Sequence, residues 1–342
     1  MSPRRVSLVG ALRRRLLTPQ LREVEPQVRG FDAWVEGPSI VEPVGTAFLT
    51  GYAAAMACGR RIEAVTAVAE LPRSEVGFAM EGLAMGAAVR SSLSPFNRHQ
   101  FDEVVAIAGE RHAYMLYVGL GWALARTPWF TWPRLDRFDP MLLGLVLDGF
   151  GFHEVFFHTR SVWERGVDAF DLRAWPGDRE TGLQHVMQGV GRGAWFVCGG
   201  SPERLAQAFD ALPAAYHASL WAGSGLAAAY AGGRQAHGLA DLVRRSGPHR
   251  HWVQQGASFA IEARSRAGTV VDHTHLAARH LCDRSLTEVV DLVRRARPEG
   301  ARVDAGDLTA YEAWRAAVAA EYAAAPPTGD ASGRRAAAAL GA

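Results

Sequence analysis

The sequence predicts an all-α fold built as a helical-repeat array, and two patterns carry this prediction. Apolar residues recur mostly at the spacing of amphipathic helices, whereas the strict alternation typical of strands is scarce. A Gly-x-small motif followed closely by an aromatic residue recurs within the predicted helices, as in GLGW from residue 119 and GASF from residue 256. Glycine in a helix costs roughly 1 kcal/mol relative to alanine. Its repetition therefore indicates helices that approach one another closely.

The predicted helices follow one another along nearly the whole chain. Two of them have clear start signals, Ser201 followed by Pro202 and Asp139 followed by Pro140. In both cases an N-cap side chain can accept a hydrogen bond from the first turn, and proline fits the first helical position. In chain order, the predicted helices cover residues 45–58, 61–71, 75–90, 102–126, 138–158, 181–198, 202–212, 214–231, 249–267, 274–282, 285–296 and 308–323.

Two stretches of the chain resemble each other and predict an internal duplication. Residues 64–89 are similar to residues 204–230, and Pro72 and Pro213 are 141 residues apart in these stretches. Gly82 and Gly223 have the same separation of 141 residues. The similarity predicts two halves, about 44–170 and 185–323, related by a pseudo-two-fold axis. Because pockets often form between such units, the aromatic residues near the glycines should line a cavity or fill the core.

The chain divides into three parts by composition. Residues 1–30 form an amphipathic N-terminal segment, whose apolar run is flanked by arginines and is too short for a signal peptide. Residues 31–323 form a single all-helical domain, and residues 324–342 have the composition of a disordered tail. No run of 18 or more uncharged apolar residues occurs, which predicts that no segment spans a membrane.

Composition excludes several classes of function. A net charge of +2 argues against a dedicated nucleic-acid-binding protein. All 37 basic residues are arginine, so neither a Schiff-base lysine nor a glycine-rich phosphate loop with its lysine can be present. The three cysteines are too dispersed for a disulfide framework or a zinc knuckle, which favours the reducing cytoplasm; they are Cys58, Cys198 and Cys282.

The segment LVLDGFGFHEVFFHTR, residues 145–160, places a carboxylate in an apolar helix. Burying Asp148 is costly unless the carboxylate is paired, and Glu81 lies in a similarly apolar setting. Burial would raise their pKa values and make either one a candidate general acid. Alternatively, each carboxylate binds an arginine across a helix interface. The candidate arginines lie on the glycine-containing helices and are Arg126, Arg192 and Arg264.

The same segment contains two histidines, which we interpret as unsuited to a metal site. His153 and His158 are five residues apart, one more than in the zinc-protease motif. On a continuous helix they would diverge by about 140°. Glu154 and His158 share a face and could supply two ligands, but no second cluster completes the set. We therefore predict neither a metal nor a cofactor.

Several long strings of the chain resemble one bacterial family, number 1702 among the domains of unknown function. The strings include FAMEGLAMG, YVGLGWALAR, LVLDGFGFHEVFFHTR and QGASFAIEAR, and the resemblance extends over about residues 10–323. Members of this family are commonly encoded beside the iterative polyketide synthase of enediyne antibiotic gene clusters. The resemblance implies an accessory role in enediyne or related polyketide biosynthesis. It brings no agreed catalytic mechanism and no catalytic residues.

Three functions remain open at this point. The first is a cofactor-independent cyclase or isomerase of an apolar polyene, with Asp148 as acid or base and with Glu81 and His153 in support. The second is a binding or carrier protein for a reactive polyene or enediyne, and the third is a scaffold for other polyketide biosynthetic proteins. The residues that we expect to contact the hydrophobic ligand are Phe152, Trp122, Trp195, Phe259, Arg126 and Arg264.

Overall fold

The regular structure of this chain is helical. The computed structural model describes residues 10–11, 14–15, 18–94, 97–298 and 308–324, and no strand occurs among them. The predicted all-α class is confirmed. The α-helices of more than one turn are α1 Val41–Ala57, α2 Arg61–Ala69, α3 Val76–Leu93, α4 Gln100–Arg126, α5 Leu143–Phe157, α6 Thr159–Arg165, α7 Arg179–Val197, α8 Pro202–Asp210, α9 His217–Ala231, α10 Ala236–Arg245, α11 Arg250–Ala267, α12 Asp272–Cys282, α13 Leu286–Arg295 and α14 Thr309–Ala324.

Shorter turns connect these helices. They comprise the one-turn helix Pro26–Arg29 and the 3₁₀ turns Leu21–Val24, Trp129–Thr131, Leu135–Arg137, Pro140–Leu142, Gly166–Ala169, Ala214–Tyr216 and Gly247–His249. Every predicted helix has a counterpart, and the Ser201 hydroxyl caps α8 as expected, at 3.3 Å from the Arg204 backbone nitrogen. Two helices were not predicted, α6 and α10. The sequence of α10 follows two glycines and has no N-cap side-chain hydrogen bond, so its start carried no signal.

The long helices pack in chain order, with each of α1, α3, α4, α5, α7, α9 and α11 contacting the next. Glycines make this packing possible. A Cβ atom at Gly149 would lie 2.1 Å from the carbonyl oxygen of Val118 in α4, and one at Gly151 would lie 2.0 Å from that of Val186 in α7. In the motifs that begin at Gly119, Gly149, Gly189 and Gly223, the first glycine contacts the preceding long helix and the second contacts the following one. The predicted close approach of the helices is confirmed.

The succession of long helices encloses a common interior. Residues of α1, α3, α4, α5, α7 and α9 line one cavity. The Tyr230 hydroxyl of α9 lies against Gly77 of α3. The segment before α1 joins the assembly through backbone hydrogen bonds, because the nitrogens of Asp32 and Val35 donate to the carbonyl oxygens of Val197 and Gly199.

The two similar stretches have the same order of elements, a short helix followed by a long one. Helices α2 and α8 begin 141 residues apart, and so do α3 and α9. The same order also occurs in α10 and α11, so it recurs more often than once in each half. The pseudo-two-fold relation between two halves stays a prediction.

One stretch is apolar enough to be compared with a membrane span. Among the described residues, Pro140–Phe157 is long and apolar enough to cross a membrane by length and composition alone. However, 83% of this segment is buried inside the fold. Helix α5, which forms most of this stretch, packs between α4 and α7 as a core helix. The absence of a membrane span stays a prediction.

Candidate functional site

An apolar chamber with a volume of about 70 Å³ lies between the long helices. Its wall is formed mostly by aliphatic and aromatic side chains, among them Phe48, Leu49, Met85, Trp122, Phe152, Phe156 and Phe196. Among the described residues, the charged members of this wall are Glu23, Glu81, Arg126 and Arg192. Pro19, Glu23 and Val24, which precede α1, cover part of the chamber. Such an arrangement suits an apolar ligand with a few polar groups.

A second, smaller cavity of about 40 Å³ adjoins the chamber. It is lined by residues of α4, α5, α7, α9, α11 and α14, including Asp148 and Phe259. Met115, Arg192, Leu226 and Tyr230 line both cavities. The side chain of Arg192 therefore lies between the two apolar spaces.

Arg192 links two buried carboxylates. Its Nε atom lies 2.9 Å from Asp148 Oδ1, and its Nη2 atom lies 3.8 Å from Glu81 Oε1. Gln188 Nε2 donates a hydrogen bond of 2.8 Å to Asp148 Oδ2. The 2.9 Å contact is an ion pair but not a hydrogen bond, because the Arg192 N–H does not point at the Asp148 oxygen. Of the three candidate arginines, Arg192 is thus the one that lies within ion-pair distance of both carboxylates, across helix interfaces.

The positions of these residues follow from the glycine motifs. Glu81, Asp148 and Gln188 each immediately precede the glycine that contacts the preceding helix. Because adjacent residues of a helix lie about 100° apart, a residue next to such a glycine faces away from the helix contact and into the shared interior. This signal was present in the sequence, and it would have identified Gln188, which we did not predict.

The surroundings of Glu81 bring the pKa of its carboxyl group close to neutral pH. Burial raises the pKa of Glu81 to about 7; the Arg192 guanidinium opposes this shift and the neighbouring Asp148 adds to it. The buried indole N–H of Trp122 lies near Glu81 and lowers the pKa of Glu81, because it favours the ionised carboxylate. One guanidinium serves two carboxylates, so a proton on Glu81 leaves the cluster neutral.

The structure brings together only some of the residues predicted to contact a ligand. Phe152, Trp122 and Arg126 line the chamber, and Phe259 lines the smaller cavity. Trp195 and Arg264 line neither. The first is fully buried and donates its indole N–H to the Gly232 carbonyl at 3.2 Å. The second donates to the Tyr230 carbonyl at 2.6 Å, with its guanidinium 4.2 Å from the Tyr230 ring centre. Both therefore support the wall from behind.

His153 also lies outside both cavities, behind the chamber wall. Its ring centre is 5.7 Å from that of Trp122 and 4.8 Å from that of Phe157. Burial lowers the pKa of His153, which keeps the ring neutral near neutral pH, and Glu154 partly offsets this shift. A direct acid–base role for His153 on a ligand in the chamber is not supported by this position.

His153, Glu154 and His158 together form the cluster of described residues that could hold a metal ion. Their candidate ligand atoms lie within 4.8 Å of one another, and Glu154 contacts each histidine Nδ1 at 3.1 Å. Our argument that the histidines diverge was wrong, because α5 ends at Phe157 and the backbone turns at His158, with φ −126° and ψ 37°. The prediction that the protein needs no metal remains a prediction.

Comparison with known proteins identifies the family. Residues 8–322 match the family described as a protein of unknown function, DUF1702. The chain belongs to this family. The match to DUF1702 includes all the helices that form the chamber, so the chamber and the buried charges belong to the region that defines the family. No curated protein and no solved structure matches the chain.

Proposed function

We propose that this protein acts in the biosynthesis of enediyne or related polyketide natural products, as a cofactor-independent isomerase or cyclase of an apolar polyene. The observation that carries the catalytic part is the placement of Glu81, whose pKa is raised to about 7, in the wall of an apolar chamber. A carboxyl group with a pKa near 7 is half protonated at neutral pH and can serve as acid or base. The link to polyketides rests on the resemblance of the chain to proteins encoded in such gene clusters.

The chemistry needs no external reagent. Protonated Glu81 donates its proton to one carbon of a conjugated chain, and the resulting carboxylate removes a proton from another carbon. The atoms of the ligand are conserved and its double bonds move, which is an isomerisation; ring closure between the two steps gives a cyclisation. The rings of Trp122 and Phe152 border the chamber and can stabilise the intermediate cation through their π faces. Asp148 holds Arg192 in place and is a positioning residue in this scheme.

The size of the chamber sets a requirement on this proposal. Pockets for drug-sized ligands have volumes of about 300–1,000 Å³, whereas the chamber has about 70 Å³. An extended polyene therefore needs additional space. Pro19, Glu23 and Val24 cover the chamber from a segment of 3₁₀ and irregular structure. Displacement of this segment is the change that enlarges the chamber without separating the long helices.

The second candidate function is binding without chemistry. The ion pair with Arg192 and the hydrogen bond from Gln188 offset the cost of burying the Asp148 carboxylate within the protein, as expected for a structural element. In that case the chamber would shield a reactive polyene from water. A scaffold role is favoured less, because the exposed aromatic patch of the described residues is small and centres on Trp129 and Phe130.

Deleting the gene in the organism that encodes the chain distinguishes the two leading functions. Polyketides are profiled after complementation with the wild type, with Glu81→Gln and with Glu103→Gln, an exposed control on α4. For an enzyme, the deletion accumulates an unprocessed polyene, Glu81→Gln accumulates the same compound and the control restores the product. For a binding protein, the product yield falls without a new intermediate, and Glu81→Gln restores it. An unchanged polyketide profile after deletion contradicts both functions.

A further inference from the structure

Two arginines contact the same aromatic ring at the edge of the chamber. The guanidinium carbons of Arg29 and Arg126 lie 5.0 Å and 5.6 Å from the centre of the Phe157 ring. Arg126 and Phe157 line the chamber, whereas Arg29 and the same Phe157 line a groove on the protein surface. The ring of Phe157 thus separates the apolar interior from the groove, and both positive charges lie at this boundary.

Arg126 is a charged residue of the chamber wall whose side chain is exposed, so its guanidinium lies where the apolar chamber meets solvent. Glu81 and Arg192 lie within ion-pair distance of each other, whereas Arg126 has no ion pair among the described residues. Glu154 is already bound by the rings of His153 and His158.

Arg29 lies on the groove side of the same Phe157 ring. Its Nε atom is buried and has no hydrogen-bond partner within the described part of the chain. A buried donor without a partner costs free energy that a ligand acceptor can recover. The guanidinium of Arg126, on the chamber side of this ring, presents several N–H donors in a planar fork that suits a carboxylate. Stacking on Phe157 restrains both groups at this place.

We propose that the ligand of the chamber is a long-chain unsaturated carboxylate, with its chain in the apolar interior and its carboxylate bound by Arg126. This assignment deepens the proposed function and rests on it. The chain then extends from the Phe157 boundary past Trp122 and Phe152 toward Glu81, all of which line the same chamber. The carboxylate therefore fixes which part of the chain faces the acid–base group.

Fluorescence titration with a conjugated fatty acid tests this assignment. The probes are cis-parinaric acid, a tetraene carboxylate that becomes fluorescent in apolar surroundings, and its methyl ester, which has the same chain without the charge. The proteins are the wild type, Arg126→Gln and the control Arg266→Gln. Arg266 stacks on Tyr114 at the same 5.6 Å distance as Arg126 on Phe157 and lies away from the chamber.

We expect the wild type and Arg266→Gln to bind the acid about 10- to 100-fold more tightly than the ester, as for a hydrogen bond to a charged group. Arg126→Gln should bind the two probes with similar affinity, at the level of the ester. If acid and ester bind equally to the wild type, or if Arg126→Gln keeps the preference, the carboxylate assignment is overturned while the apolar chamber survives. If neither probe binds the wild type, the proposed polyene-binding function fails with it.

Discussion

At the scale of single residues, Asp148 tests whether the buried charge cluster is structural. Its side chain is fully buried, lies 2.9 Å from Arg192 Nε and also borders the smaller cavity. Breaking a buried ion pair by removing one partner typically costs about 3–5 kcal/mol. Asp148→Asn should therefore melt several degrees below the wild type in a thermal unfolding experiment. A variant that is fully stable and fully active would contradict both a structural and a catalytic role.

Glu81 gives a pH-dependent contribution to stability that can be measured. Its pKa rises from 4.5 to about 7 on folding, so the folded protein binds a proton that the unfolded chain releases between these values. The free energy of unfolding should therefore fall as the pH rises from about 4.5 to about 7, by at most about 3 kcal/mol, and stay level above that range. Urea unfolding of the wild type and of Glu81→Gln across this range measures the difference. Parallel curves for the two proteins would rule out this titration.

The cluster of His153, Glu154 and His158 allows a test of the predicted metal independence. The carboxylate of Glu154 already contacts both histidine rings, and Arg126 adds positive charge near His153. Both features disfavour a cation. Elemental analysis of the purified protein should find no stoichiometric zinc or iron. One metal ion per chain, lost in His158→Ala, would contradict the prediction and would place the ion at this cluster.

At the scale of helices, replacing a glycine of a Gly-x-Gly motif by a residue with a side chain should destabilise the fold. A Cβ atom at Gly121 would lie 2.0 Å from the carbonyl oxygen of Val146, a backbone atom that cannot move without moving α5. Gly121→Ala should lower the free energy of unfolding by at least about 1–3 kcal/mol, as for overpacked cores. Gly109→Ala is the matched control in the same helix, where the nearest atom is a Val105 side-chain carbon at 3.2 Å. It should be neutral or stabilise α4 by up to about 1 kcal/mol. Equal effects of the two substitutions in urea unfolding would contradict the packing argument.

Helix spacing and repeated glycines were sufficient to predict the helical class, the positions of most helices and their close approach, because these depend on local sequence. The candidate site was only partly predictable. The sequence identified Asp148 and Glu81 because a carboxylate in an apolar helix is costly to bury. It could not identify Arg192 as their partner, because that depends on which helices are neighbours in space. His158 was misjudged because the end of α5 has no glycine or proline to mark it.

At the scale of the whole molecule, the chain should unfold as one cooperative unit. The predicted halves, about 44–170 and 185–323, meet at α5 and α7, where a Cβ atom at Gly189 would lie 1.9 Å from the carbonyl oxygen of Asp148. This contact is as close as those within each half, and the Asp148–Arg192 ion pair crosses it.

Contacts between distant helices add to this coupling. The Arg266 guanidinium of α11 donates to the Glu110 carbonyl of α4 at 2.9 Å. Differential scanning calorimetry should therefore show a single transition, with equal van't Hoff and calorimetric enthalpies. Two separate transitions would indicate that the halves are independent domains. The wall of the chamber comes from α1, α3, α4, α5, α7 and α9, so the chamber would then lie between two units that can separate. Its apolar surface would be exposed each time one of them unfolded.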